Sequence, residues 1–147
     1  MQLEGKHVLI TGAGSGIGRA LAIEASRVGM VVALAGRRSE ALHTTLSQMV
    51  PNEGHLRLRG DITDSTVRCG IRDYLWRRWG RLDVLVNNAG IVSAGPLSQT
   101  SDDELERIMV TNVVAPIALV RDVEPPARLA AATKSMIAHL SLVDRPS

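Results

Sequence analysis

The chain has 147 residues, the size of one domain, of which 45% are hydrophobic and 22% charged, an ordinary balance for a globular protein. Its formal net charge of +2 at pH 7 is too small to indicate a nucleic-acid or membrane partner by itself. The single cysteine, Cys69, excludes an internal disulfide and is typical of a reducing compartment.

The histidines, the arginines and the apolar runs indicate which other partners can be expected. The four histidines lack ligand-like spacing, so we expect no metal site. Five arginines lie close to the aromatic residues of one segment, a mixture that could bind nucleic acid, but a solvated helix face is the simpler interpretation. There is no signal-peptide pattern and no apolar run near the ~20 residues needed to span a bilayer. We therefore expect a cytoplasmic protein with neither a nucleic-acid nor a membrane partner.

Strand and helix patterns alternate along the chain, which predicts a parallel sheet with helices on both faces. The predicted strands are 7–11, 31–35, 56–59 and 84–87, and the helices between them are 17–28, 39–50 (with Ser39 as N-cap) and 64–79. A short helix capped by Ser101 or Asp102 follows, then a helix at 112–123, a break at Pro125-Pro126, and an amphipathic helix at 129–142. Right-handed crossovers predict the strand order 3-2-1-4, an incomplete Rossmann-like α/β fold forming one domain over 1–147.

A glycine-rich turn joins the first strand to the first helix. It reads Thr11-Gly12-Ala13-Gly14-Ser15-Gly16-Ile17-Gly18. Glycines let the backbone approach a diphosphate, and the helix N-terminus offers free N–H groups and a partial positive charge. We expect Ala13, Gly14 and Ser15 to supply the cradle and Gly18 to allow close helix–strand packing. The spacing G-x-x-x-G-x-G differs from the standard G-x-G-x-x-G, and a simple tight connection is the alternative interpretation.

The end of the second strand indicates which dinucleotide is bound. NAD-selective folds usually place an acid there to bind the ribose 2′-hydroxyl. Here Gly36 stands in that region, and Arg37 and Arg38 follow. Guanidinium groups pair bidentately with phosphate, so the 2′-phosphate of NADP fits better than NAD. The alternative is that both arginines are solvated loop charges.

Three segments in order make a specific resemblance. They are the glycine-rich turn, Asp61-Ile62-Thr63-Asp64, and Asn87-Asn88-Ala89-Gly90. Together they resemble the short-chain dehydrogenase/reductase family, continuously as far as residue 123. The resemblance implies that Asp61 bonds the adenine amino group, that Ile62 lines the adenine pocket, and that Asn88, Ala89 and Gly90 shape the turn beside the cofactor ribose.

The resemblance also assigns catalytic positions. Asn112 matches the family's active-site asparagine, which bends its helix and holds a proton-relay water. From the residues alone, Asp61 could equally be a turn carboxylate and Asn112 a helix N-cap. The family also uses a Tyr-x-x-x-Lys pair and a serine at the end of a fifth strand. Lys134 matches the lysine, but Ala130 occupies the tyrosine position, and the only tyrosine is Tyr74 on the third predicted helix.

The segment at 123–129 has no strand pattern that could carry the serine. We therefore expect an internal deletion and an early stop, with 124–147 a remnant of the catalytic-helix region. An exposed edge on the fourth strand would then favour self-association.

Three hypotheses follow. The chain is an NADP-dependent oxidoreductase acting on a carbonyl or secondary alcohol, a non-catalytic nucleotide-binding or interaction module, or a truncated product without function. Because the catalytic tyrosine and serine are missing from the expected positions, we predict negligible hydride transfer. The sequence names no substrate.

Overall fold

The computed structural model describes residues 2–124 and the backbone of 136–139. The strands are β1 His7–Thr11, β2 Val31–Gly36, β3 Leu56–Arg59, β4 Val84–Asn87 and β5 Met136–His139. The helices are α1 Gly16–Arg27, α2 Ser39–Ser47, α3 Ser65–Trp79, α4 Asp102–Met109 and α5 Ala115–Val123. A 3-10 turn at Leu97–Gln99 precedes α4, and a π-helical turn at Val110–Val114 joins α4 to α5.

The strands form one parallel sheet in the order β3-β2-β1-β4-β5. The predicted order 3-2-1-4 is confirmed for the first four strands. Central strand β1 pairs with β2 from His7↔Val31 onward and with β4 from Val8↔Val84 onward. The chain order reverses across β1, so a crevice opens beyond the carboxyl end of this strand, where α/β folds bind ligands.

Apolar residues on both faces of β1 explain why the sheet is covered by helices on both sides. Leu9 packs into a core with residues of α3 and α5, such as Leu75 and Leu119. Val8 and Ile10 pack into a second core with residues of α1 and α2. All of these side chains are almost fully buried. The continuous apolar run of β1 is therefore what a strand covered on both faces requires.

Several helix ends follow local chemistry. Asp64 Oδ1 accepts hydrogen bonds from the Thr66 hydroxyl and from the Thr66 backbone N–H, each at 2.7 Å, and these bonds lower the pKa of the Asp64 carboxyl. Ser101 caps α4 by accepting from the Glu104 N–H at 3.3 Å. The predicted cap at Ser39 is wrong, since Ser39 is the first helical residue and Arg38 is the cap.

In the described part of the chain no helix is both long and apolar enough to cross a membrane.

The second predicted helix is three residues too long. Helix α2 ends at Ser47, whereas the sequence pattern continued to residue 50. The Val50 N–H donates to Ser26 Oγ on α1 at 3.0 Å, and Met49 is buried in the core shared with α1. These tertiary contacts turn the chain out of the helix before its apolar pattern stops.

A fifth strand corrects the prediction for the end of the chain. β5 pairs with β4 in parallel register from Val84↔Met136 to Asn87↔His139. The helix expected over 129–142 is therefore wrong at 136–139, and so are the missing fifth strand and the exposed β4 edge. The periodicity of a short apolar run such as 136–139 is compatible with a strand or a helix. Here the run forms a strand because the otherwise unpaired edge of β4 offers it a hydrogen-bonding partner. The predicted break at Pro125-Pro126, Ala130 and Lys134 lie outside the described residues.

Candidate nucleotide-binding site

A cavity of about 260 Å³ lies beyond the carboxyl ends of the first four strands. Its lining includes most of the predicted cofactor residues: Gly12, Gly14, Ser15, Arg37, Arg38, Asp61, Ile62, Asn88, Ala89 and Gly90. The structure thus brings together four segments that are far apart in the sequence. Ala13, Gly16, Ile17 and Gly18 are not among the lining residues.

The glycine-rich turn leads directly into α1. The first helical bond to Ser15 O comes from the Arg19 N–H at 3.2 Å, so the N–H groups of the first turn have no intrahelical acceptor. Gly16, the first helical residue, has φ +52°, which favours glycine. These features give the turn free amide donors next to the positive end of the helix dipole.

Ala13 requires a correction. Its N–H donates to Ala35 O of β2 at 3.1 Å, and its side chain is fully buried in the core beneath the turn. This amide is therefore not available to a ligand. Of the predicted cradle, Gly14 and Ser15 remain, next to the first turn of α1, while Ala13 anchors the turn to the sheet.

Gly18 lies where α1 crosses the turn. A Cβ at this position would lie 2.4 Å from Gly12 O and 2.5 Å from Asn88 Nδ2. The Gly12 carbonyl at this distance leaves no room for any side chain at position 18. The close packing predicted for Gly18 is present, but it is made with the turns that follow β1 and β4 and not with a strand.

Thr11 ties the glycine-rich turn to the turn after β4. Its buried hydroxyl accepts from the N–H groups of Asn88 and Ala89, each at 3.0 Å, and lies 3.3 Å from Val86 O. Asn88 Nδ2 donates back to Thr11 O at 3.0 Å. The two turns therefore form one hydrogen-bonded unit at the floor of the cavity.

A basic rim borders the cavity at the end of β2. Arg38 Nη2 lies 3.4 Å from Ser15 Oγ, across the mouth of the glycine-rich turn. Arg37 Nη1 lies 4.0 Å from Asp61 Oδ2, and the two side chains are 71% and 45% exposed. An exposed pair of this kind contributes little to stability. Both guanidinium groups can therefore turn toward an anion in the cavity at little cost.

Asp61 and Ile62 form the wall opposite the turn. Asp61 Oδ1 accepts from the Thr63 N–H at 3.0 Å and from the Thr63 hydroxyl at 2.8 Å. Asp61 is thus a turn carboxylate, and its second oxygen remains at the cavity. Ile62 is buried in the core beside α3 and also lines the cavity.

Asn112 lies in the π-helical turn between α4 and α5, so the interpretation as a helix N-cap is wrong. Its Oδ1 accepts from the Ile91 N–H at 2.9 Å and its Nδ2 donates to Ile91 O at 2.8 Å. Residues Ile91 and Thr111 line the cavity and were missed from the sequence. Their position next to Gly90 and Asn112 is the signal that could have identified them.

Comparisons with known proteins agree with this geometry. The family model for short chain dehydrogenase matches residues 6–141. Sorbitol dehydrogenase from Cereibacter sphaeroides is 38% identical over 115 residues, which cover 77% of this chain and 43% of that protein. An uncharacterized oxidoreductase from Thermotoga maritima is 37% identical over 120 residues, covering 81% of this chain and 47% of that protein. A short-chain dehydrogenase from Streptomyces avermitilis has a similar crystal structure, with a TM-score of 0.80 and 32% identity over 93% of this chain and 49% of that one.

The chain therefore belongs to the short-chain dehydrogenase family, whose members are oxidoreductases that bind nicotinamide dinucleotides. It spans about half the length of the relatives it matches.

Proposed function

We propose that this chain binds NADP in the cavity at the carboxyl end of β1. The observation that carries the proposal is the convergence of three features on one cavity: the amide donors of Gly14 and Ser15, the basic rim of Arg37 and Arg38, and the wall at Asp61. In this arrangement the diphosphate lies against the start of α1, and the adenine lies toward Asp61 and Ile62.

The preference for NADP over NAD rests on charge at the end of β2. Gly36 offers no carboxylate to the ribose 2′-hydroxyl, and Arg37 and Arg38 follow it immediately. Ser15 lies within reach of Arg38 and adds a hydroxyl beside the same position. A 2′-phosphate placed there would receive charge-assisted hydrogen bonds from both sides.

Hydride transfer between NADP and a carbonyl or secondary alcohol is the chemistry that the family implies. The bound cofactor would supply the hydride, and the protein must supply positioning and a proton donor. Ser141 lies two residues after β5 in the sequence and is the candidate for the serine that follows the fifth strand. Lys134 precedes β5, so we do not carry it into the proposal as the lysine of the catalytic helix.

A second candidate is nucleotide binding without turnover. Tyr74 is the only tyrosine of the sequence, and it lies on α3 with its ring beside Arg77, outside the residues that line the cavity. Loss of a general acid typically lowers the rate by about 10²–10⁴-fold. We therefore expect negligible carbonyl reduction by this chain with NADPH. Because the sequence has a single cysteine, we propose that the protein is located in a reducing compartment such as the cytoplasm.

A pair of matched variants tests the binding proposal. Gly16 and Gly80 both have positive φ, +52° and +65°, and a Cβ at either would meet nothing within 4 Å. Gly16→Ala and Gly80→Ala should therefore lose similar stability, on the order of 1 kcal/mol. Only Gly16→Ala should also weaken NADPH binding, because only Gly16 belongs to the cradle. Equal NADPH affinity in the two variants would contradict the proposal.

A further inference from the structure

Whether the glycine-rich turn can bind phosphate depends on the direction in which its carbonyl groups point. A turn whose N–H groups face an anion directs its C=O groups toward the protein, and buried carbonyls need hydrogen-bond donors there. In this chain the carbonyls of Ala13 and Gly14 are bonded by side chains of two helices, α1 and α2. The inference below rests on the proposed function, because it concerns the same cradle.

Thr45 of α2 and Arg19 of α1 supply these donors. Thr45 is fully buried, and its Oγ1 lies 2.8 Å from Ala13 O. Arg19 Nε donates to the same Thr45 oxygen at 3.1 Å, while Arg19 Nη2 donates to Gly14 O. One side-chain pair therefore binds two successive carbonyls of the turn from the side opposite the cavity.

The neighbouring threonine shows that helix α2 itself does not require this arrangement. Thr44 Oγ1 bonds only the carbonyl four residues back, Glu40 O at 3.0 Å, and is exposed. Thr45 Oγ1 lies 3.0 Å from the equivalent carbonyl, Ala41 O, but Ala13 O is nearer at 2.8 Å, and the single hydroxyl hydrogen can be donated to only one of them at a time. A helix position that faces an apolar core would ordinarily hold an aliphatic side chain, since a buried hydroxyl must be satisfied.

We propose that Thr45 and Arg19 are positioning residues: Thr45 holds the Ala13–Gly14 peptide and Arg19 the Gly14–Ser15 peptide, so that the N–H groups of Gly14 and Ser15 face the diphosphate. They touch no part of the nucleotide themselves. Removing the Thr45 hydroxyl leaves Ala13 O and Arg19 Nε without their partner, so the peptide is free to rotate. Ligands with a diphosphate should lose affinity, and ligands without one should not.

The test compares ADP, which has the diphosphate, with adenosine, which lacks it, by ligand-observed NMR titration of the full chain. Thr45→Val should weaken ADP binding about five- to tenfold, the effect of one hydrogen bond, and change adenosine affinity less than twofold. Thr45→Ser keeps the hydroxyl and should bind ADP like the wild type. Thr44→Val is the matched control on the adjacent residue and should change neither ligand.

Arg19→Met provides a second route if Thr45→Val does not fold, because Arg19 is only half-buried. It should lower ADP affinity in the same selective way. Equal losses for ADP and adenosine, or no loss for either in a folded variant, would overturn the positioning role while leaving nucleotide binding intact. Failure of the folded wild type to bind ADP and NADPH would instead overturn the proposed function, and the positioning role with it.

Discussion

Asn112 and Ile91 form a reciprocal pair of hydrogen bonds, from the Ile91 N–H to Asn112 Oδ1 at 2.9 Å and from Asn112 Nδ2 to Ile91 O at 2.8 Å. The pair joins the π-helical turn at Val110–Val114 to the loop after β4. A π-helical turn inside a helix often marks a functional site. Here the π-helical turn places Asn112 so that its side chain bonds both backbone groups of Ile91 and thereby fixes the cavity wall at Gly90 and Ile91.

Asn112→Ala should destabilise the fold by about 2 kcal/mol, because two partly buried hydrogen bonds to Ile91 are lost, each contributing about 0.5–1.5 kcal/mol. Urea denaturation measures the free energy of unfolding. Glu106→Ala, an exposed change on α4, is the control and should lie within about 0.5 kcal/mol of the wild type. A loss for Asn112→Ala no larger than for the control would show that the Ile91 pair does not hold the loop.

The Arg68–Asp122 pair between α3 and α5 gives a second prediction. Arg68 Nε lies 2.8 Å from Asp122 Oδ2, and the two side chains are only 8% and 12% exposed. Arg68 Nη1 also donates to Ile62 O at 2.7 Å and to Thr63 O at 3.0 Å. The hydrogen bond from Arg68 lowers the pKa of the Asp122 carboxyl. The pair thus fixes the turn at Ile62 and Thr63, beside the cavity.

Arg68→Met should cost about 3 kcal/mol, since Asp122 then keeps only the exposed Arg121 as a partner and the carbonyls of Ile62 and Thr63 lose their donor. The double variant Arg68→Met/Asp122→Leu should recover part of that loss, because it removes the buried carboxylate that Arg68 no longer pairs. Urea denaturation of the wild type, both single variants and the double variant gives the coupling energy. Additive losses in this cycle would mean that the two side chains do not act as a pair.

The pKa values of two histidines, His55 and His7, allow a prediction of how the free energy of unfolding depends on pH. Val32 N–H donates to His55 Nδ1 at 3.0 Å, and His55 Nε2 lies 3.1 Å from Val50 O, so the bound form is the neutral ring with its proton on Nε2. Burial lowers the pKa of His55 below its ordinary 6.5, and the bond to Val50 opposes this only in part. The pKa of His7 is also lowered, by burial and by Arg81, against the opposing effect of Asp83.

Because both folded-state pKa values are lowered, the unfolded chain binds more protons below pH 6.5. The free energy of unfolding should therefore be constant from pH 8 to 7 and fall as the pH drops below about 6.5. His55→Asn keeps a hydrogen-bond acceptor but does not titrate, so it should flatten this slope, and His7→Gln should flatten the remainder. A wild-type stability that rises between pH 6.5 and 5 would contradict the assignment.

The 2′-phosphate interpretation gives a fourth prediction. Arg37→Asp removes a guanidinium from the basic rim and introduces a carboxylate that repels phosphate and can bond a ribose hydroxyl. The ratio of NADH to NADPH affinity should rise at least about tenfold, which corresponds to about 1.4 kcal/mol. Fluorescence titration with both nucleotides measures the ratio. Arg78→Asp on the exposed face of α3 makes the same charge change away from the cavity and should leave the ratio unaltered.

The features that the sequence predicts correctly are those that have a local sequence pattern. The strand order and the glycine-rich turn follow from short apolar runs, from the alternation of elements and from a turn whose placement between strand and helix is visible in the chain. Most of the residues predicted to bind the cofactor lie next to the carboxyl end of a strand, so the parallel sheet brings them together without further information.

The features that the sequence does not predict arise from contacts between residues that are far apart in the sequence. The amide of Ala13 is engaged by Ala35 of β2, and Thr45 reaches Ala13 across 32 positions. Neither contact has a local signature. The four residues of β5 fit a helix pattern as well as a strand pattern, and only pairing with the edge of β4 decides between them.

Isothermal titration calorimetry of NADPH into the folded wild-type chain, at two temperatures, tests the central claim that the start of α1 binds a diphosphate. The geometry of the cavity predicts one site per chain, tighter for NADPH than for NADH, with Gly16→Ala weakened. No binding heat at either temperature, with circular dichroism showing a cooperatively folded protein, would contradict nucleotide binding and leave only the family relationship.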